Sequence, residues 1–285
     1  MNDTFIMFSL VLVCLDNFQE YILTNIAQLL RLGHTKIYIL TNKHLFHEFE
    51  PFAPFLKLID VDKLDDPFDF KGRSTLDKTF RGGFWFHTSA RFFVIHSFML
   101  KYGVKDVIHI ENDVLLYYNA DEDFAYGEDK KIYIPFDTFE RNIASIVYIP
   151  DADIFGQILE HYDFGKNDMC NFSEIRKRTG LICNLPIFVD DHSSVERSFV
   201  TNGFQKYIFD AAAIGQLVGG VDPRNASGDT RGFVNETCVI KYKDEGNIYW
   251  KMIDGFIKPF IKIKGGTEVP IFNLHIHCKD LASFT

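Results

Sequence analysis

Apolar residues gather in short runs separated by amphipathic segments through the first 118 residues. Phe5 to Leu15 is an apolar run interrupted only by Ser9, and Lys36 to Thr41 and Phe55 to Val61 are shorter ones. Between the first two, Tyr21, Ile22, Asn25, Ile26, Leu29, Leu30 and Leu32 recur at spacings of three and four and stop at Gly33, which predicts a helix. Strand, helix and strand in that order form a βαβ unit, because parallel strands need a crossover. An amphipathic segment carrying Phe46, Phe49 and Phe52 precedes the third run. An Asp- and Gly-rich loop then leads through Gly82 and Gly83 to a helix over His87 to Tyr102, which feeds a strand over Val107 to Leu116. Alternation of this kind predicts an α/β fold with a mainly parallel sheet covered on both faces.

Beyond Tyr117 the pattern loosens. Lys131 to Pro135 and Ile143 to Ile149 read as strands, Ile154 to Tyr162 as a helix, and 163–205 as mixed and polar. Asp210 opens a small-residue helix that Gly219 and Gly220 close. Val221 to Asn225 forms a turn, and 226–238 has the composition of a loop. From Ile271 to Lys279 the chain alternates as a strand, with His275, His277 and Lys279 on one face. There is no repeat, heptad pattern or low-complexity tract, so a scaffolding role has no support.

The chain has 285 residues, 47% hydrophobic and 24% charged, with 30 Phe. That is enough for one elaborated α/β domain over 1–285. A net charge of −9 argues against a nucleic-acid partner, which requires clustered Lys and Arg. Five cysteines lie scattered without CxxC spacing and read as reduced thiols rather than a zinc site. The run Phe5 to Leu15 lacks a preceding basic residue and a cleavage site, so it reads as a strand rather than a signal peptide. With no stretch of about 20 apolar residues, the expectation is a protein without a transmembrane segment, cytoplasmic by default. Sequons at Asn2, Asn171, Asn225 and Asn235 read as chance matches.

The chemistry concentrates in Val107-Ile-His-Ile-Glu-Asn-Asp-Val-Leu-Leu-Tyr117. Glu111 and Asp113 are two apart, so on a strand they share a face where buried sheet meets solvent, with Asn112 turned away. Paired carboxylates at a core boundary repel unless one is protonated or a hard divalent cation neutralises both, and oxygen ligands favour magnesium or manganese over zinc. Other polar residues fall at the ends of predicted strands, where α/β sheets bind ligands: Asp16, Thr41, Asp60 and Asp62.

An acid-x-Asp strand end after two βαβ units, an Asp-opened helix near Asp210, and a C-terminal His close to a Lys, in that order, resemble the GT-A glycosyltransferases. The resemblance covers nearly the whole chain and departs from the usual pattern in placing Glu, not Asp, at position 111. It implies a Rossmann-like sheet with an elaborated C-terminal half, 1–118 binding the nucleotide sugar and 119–285 binding the acceptor and completing a metal shell. It implies a hexosyltransferase-class enzyme using a nucleotide diphosphate sugar, Mn2+ or Mg2+, and a glycan, protein or lipid hydroxyl acceptor. Asp113 becomes the principal metal ligand, with Glu111 assisting it or touching the ribose. His277 is the first choice as third ligand and His275 the second, with Lys279 on the diphosphate. Asp16 and Thr41 fall at the nucleobase end. Arg91 is either a donor contact or an ion-paired helix residue. Asp210 caps a helix by its position, and the resemblance also makes it, with Asp191, a candidate catalytic base if the enzyme inverts. The alternatives are a noncatalytic nucleotide-sugar or carbohydrate-binding protein on the same fold, or a sugar nucleotidyltransferase. Leu15-Asp-Asn-Phe-Gln19 lacks the Gly-rich basic loop expected of the latter.

Overall fold

A computed structural model describes residues 7–124, 130–188, 206–225, 237–263 and 266–285. In chain order the strands are β1 (Ser9–Cys14), β2 (Ile37–Thr41), β3 (Leu56–Asp60), β4 (Val107–Ile110), β5 (Val114–Leu116), β6 (Ile132–Ile134), β7 (Phe136–Thr138), β8 (Arg141–Asn142), β9 (Ile146–Ile149), β10 (Ile182–Asn184), β11 (Gly246–Ile253), β12 (Phe256–Ile263), β13 (Glu268–Pro270) and β14 (Asn273–His275). A seven-stranded sheet runs β10-β6-β9-β4-β1-β2-β3. β3, β2, β1 and β4 are parallel, β9 is antiparallel to its neighbours β4 and β6, and β10 is parallel to β6. This is the mainly parallel, helix-flanked α/β sheet that the sequence predicts.

β1 shows why its sequence is apolar from Leu10 to Cys14. Leu10 and Leu12 face one layer, with Ile22, Ile26 and Leu29 of the helix Tyr21–Arg31. Val11 and Val13 face the other, with Phe92, Phe93, Ile95 and Phe98 of the helix Phe84–Tyr102. A strand buried on both sides has no polar face to show. Gly33, at φ +89°, ends the first helix in a left-handed turn open to glycine.

Four differences from the sequence expectations matter. The run Val107 to Leu116 is not one strand: β4 stops at Ile110, the chain turns with the Val114 N–H donating to the Glu111 carbonyl at 3.0 Å, and β5 leaves to pair with β14. The buried side chain of Asn25 stabilises that turn, donating to the carbonyls of Glu111, Asn112 and Val114 at 3.3, 3.1 and 2.8 Å. At the C-terminus only Asn273–His275 is strand. The Ile276 N–H donates to the Asp113 carbonyl and the chain turns, leaving Lys279 at φ +66°. The polar stretch after 163 contains a helix, Asp168–Thr179, and β10. Finally, β11 and β12 form a hairpin turning at Asp254-Gly255, both at positive φ, a turn signature present in the sequence.

Among the described residues no helix is long and apolar enough to cross a membrane. Among the described residues no cysteine is in a disulfide. The Asn171 sequon is buried, its amide donating to the carbonyls of Asp163, Lys166 and Asn167.

Candidate functional site

The turn after β4 and the end of β14 meet at the carboxyl end of the sheet. One oxygen each of Glu111 and Asp113 and one ring nitrogen of His275 lie within 4.8 Å of one another. His275 Nε2 is 3.3 Å from both Glu111 Oε2 and Asp113 Oδ2. Its Nδ1 is 2.9 Å from the Ala211 carbonyl, so Nδ1 carries the proton and Nε2 turns to the carboxylates. Burial lowers the basicity of His275, but Asp113 and Glu111 outweigh it and raise its pKa to about 9. Burial alone would raise the carboxyl of Asp113, yet Lys279 and His275 hold it well below the usual carboxylate range. The Lys279 ammonium sits on Asp113 Oδ2, brought there by the left-handed turn at its own α-carbon.

His277 lies outside this group. The turn at His275 stacks its ring on that of His275, with centroids 3.9 Å apart, because the two residues do not continue one strand face. Burial, then the charge on His275, pushes its pKa well below the usual histidine value, so it is neutral.

Asp210 is bound into the backbone. Its buried carboxylate accepts the N–H groups of Ile214, Gly215 and His275 at 2.9, 2.8 and 2.9 Å, so both of its oxygens are engaged by the main chain. It is a cap that joins the helix Ala213–Gly219 to β14. Gly215 is required there, since a Cβ would stand 2.0 Å from the His275 carbonyl oxygen. Asp191 falls outside the described residues.

Arg91 makes the ion pairs that one of its two readings expects. It is buried, with Nη1 on Glu111 Oε1 and Nη2 donating to Asp168 Oδ2 at 3.0 Å. Burial raises the Asp168 carboxyl to about 6 against the opposing pull of Arg91. Thr41 is turned inward: its hydroxyl donates to the Cys14 carbonyl at 2.6 Å and ties β2 to β1. Asp16, at φ +60°, is held by the Asn42 side chain, which accepts its N–H at 2.8 Å, and points its carboxylate outward 3.7 Å from His87. Asp16, Asn42 and His87 rim a cavity of about 220 Å³ walled by Leu15, Val61 and Phe86.

Two carboxylate oxygens and one oriented imidazole nitrogen fit a divalent ion of the manganese or magnesium type. Three protein donors leave further coordination positions open. Lys279, a cation already drawn to Asp113, shows that the group attracts positive charge.

No protein-family model and no curated protein matches the sequence. Solved structures similar to it include glycosyltransferases. The galactosyltransferase LgtC, in complex with donor and acceptor sugar analogues, is 13% identical with a TM-score of 0.45, over 67% of this chain and 82% of that one. Mouse xyloside xylosyltransferase 1, in its apo form, is 12% identical with a TM-score of 0.46, over 70% of this chain and 96% of its own. A Bacillus anthracis protein described as a glucose-1-phosphate thymidylyltransferase is 12% identical with a TM-score of 0.38, over 67% and 92%.

The sequence reading missed Asp168, Gly215 and Arg224. Asn167-Asp168 opens a helix, with the Asn167 side chain accepting the Cys170 N–H at 3.1 Å, a capping signal that the surrounding polar residues hide. Arg224 pairs with Asp222 at 2.6 Å, and its carbonyl accepts Arg81 Nη2 at 3.3 Å, so the 222–225 turn is tied to the loop before the helix Phe84–Tyr102.

Proposed function

We propose that the protein is a metal-dependent glycosyltransferase, moving a sugar from a nucleotide diphosphate donor to a hydroxyl acceptor on a glycan, protein or lipid. The observation that carries this reading is the convergence of Glu111, Asp113 and His275, from two distant segments, on one small volume at the carboxyl end of the sheet. These three residues would hold Mn2+ or Mg2+. When bound, the ion would supply positive charge opposite the charge that develops on a departing diphosphate. Lys279, next to Asp113, adds a second positive charge for the same phosphates. The bond from Nδ1 of His275 to the Ala211 carbonyl leaves Nε2 directed at the site, where the ring would yield to an incoming ion the Nε2 proton that Asp113 and Glu111 hold on it. Asp16 and the cavity beside it offer the base a place at the end of β1. Asp210 fixes the His275 backbone, and Asp191 is the acid assigned to the acceptor hydroxyl if the reaction inverts. A nucleotidyltransferase is disfavoured because residues 15–19 lack a Gly-rich basic loop.

The test is thermal denaturation with a panel of nucleotide sugars, with and without manganese, followed by donor turnover. One donor at a hundred times its Kd should stabilise by about 2.7 kcal/mol, and only with metal. Asp113→Asn should abolish that shift and leave the unliganded melting curve intact. No metal-dependent shift with any donor, or EDTA-sensitive turnover retained in Asp113→Asn, would overturn the assignment. A shift without turnover in the presence of acceptor hydroxyls would indicate a binding protein instead.

A further inference from the structure

Arg91 presents a problem that its neighbours solve. A guanidinium in contact with Glu111 places a fixed positive charge beside a group built to receive a cation, and at 8% exposure water screens it little. The second carboxylate on it, Asp168, is 3% exposed and balances that charge from the far side. Arg91 Nη1 donates to Glu111 Oε1 while Nη2 donates to Asp168 Oδ2 at 3.0 Å. Because the guanidinium is planar and rigid, fixing one of its nitrogens fixes the other.

Asp168 is itself immobile. It lies in the first turn of the helix Asp168–Thr179, whose start is capped by Asn167. Phe172 of that helix packs edge-on against Phe92, the residue after Arg91, with ring centroids 4.7 Å apart. The helix and Arg91 are thereby locked together by an aromatic contact as well as by the ion pair. The effect reaches Glu111: its Oε1 is turned to Arg91, and its Oε2 is the oxygen facing His275 Nε2 at 3.3 Å.

We propose that Asp168 is a positioning residue for the metal group: through Arg91 it holds Glu111 so that Oε2 alone is offered to the divalent ion. This rests on the reading of Glu111, Asp113 and His275 as the ion's holders, and adds to it a residue from a separate helix that touches neither ion nor substrate. The ion pair that looks structural then sets how Glu111 ligates.

The test is manganese binding followed by electron paramagnetic resonance in the wild type, Asp168→Asn, Arg91→Lys and the double variant. Asp168→Asn should weaken manganese binding about tenfold or more, as loss of a second-sphere partner does, and should change the line shape of the bound ion. In the Arg91→Lys background, where no planar fork links the two carboxylates, Asp168→Asn should have little further effect. Unchanged affinity and line shape in Asp168→Asn, or effects that simply add, would overturn the proposal. If Asp168→Asn does not fold, Arg91→Lys alone decides it: weakened manganese binding is expected, and unchanged binding overturns it. A wild type that binds no manganese overturns this inference together with the proposed function, whereas a wild type that binds and variants that bind equally overturn this inference alone.

Discussion

At the scale of single residues, identity matters less than which atoms remain available. Thr41, Asp210 and Arg91 are all polar residues at the carboxyl end of the sheet, and all three are engaged by the protein itself. Asp113, Glu111 and His275 differ because each turns an atom toward the other two. The two C-terminal histidines separate on the same ground. His275 Nε2 faces the carboxylates, while His277 is stacked on its neighbour. His275→Ala should therefore weaken manganese affinity about tenfold or more, and His277→Ala distinctly less, measured by titrating the metal into each variant. The reverse order would return the ligand role to His277. His34 provides a pH test away from the site. Burial lowers its pKa from 6.5 to about 4, and its Nε2 accepts the Ala120 N–H at 3.4 Å. The unfolded chain binds a proton there that the folded one refuses. Stability is thus fully present above pH 6.5 and should fall at up to about 1.4 kcal/mol per pH unit as pH drops toward 4. His34→Gln should flatten that part of the urea-denaturation profile against pH, and an unchanged slope would exclude the effect.

At the scale of elements, the site depends on how two short pieces meet. The helix Ala213–Gly219 approaches β14 so closely that Gly215 has backbone where a side chain would be, and Asp210 bonds to both elements. Gly215→Ala should cost about 1–3 kcal/mol or more through overpacking and should weaken manganese binding by moving His275. A variant with wild-type melting temperature and metal affinity would show that the approach is looser. The helix around Asn25 was legible from its spacing. The purpose of an Asn within an apolar stripe was not, because the carbonyls it satisfies belong to a turn 86 to 89 positions away. The hairpin β11–β12 could have been found from Asp254-Gly255 between alternating runs.

At the scale of the whole molecule, β5 and β14 join the chain's middle to its end, and that pairing lets a carboxyl-rich turn meet an imidazole from the far terminus. The local sequence determined the parallel βαβ half, because apolar runs buried on both faces and a helical stripe are patterns within reach of neighbouring residues. It also determined that Glu111 and Asp113 stand where such a sheet ends. Only the tertiary structure decided that the strand ends before them and they sit in a turn, that His275 faces them and His277 stacks behind, and that Asp210 and Arg91 are held internally. Those outcomes depend on hydrogen bonds and charges between segments far apart in sequence, and spacing along the chain carries no information about which of them will close.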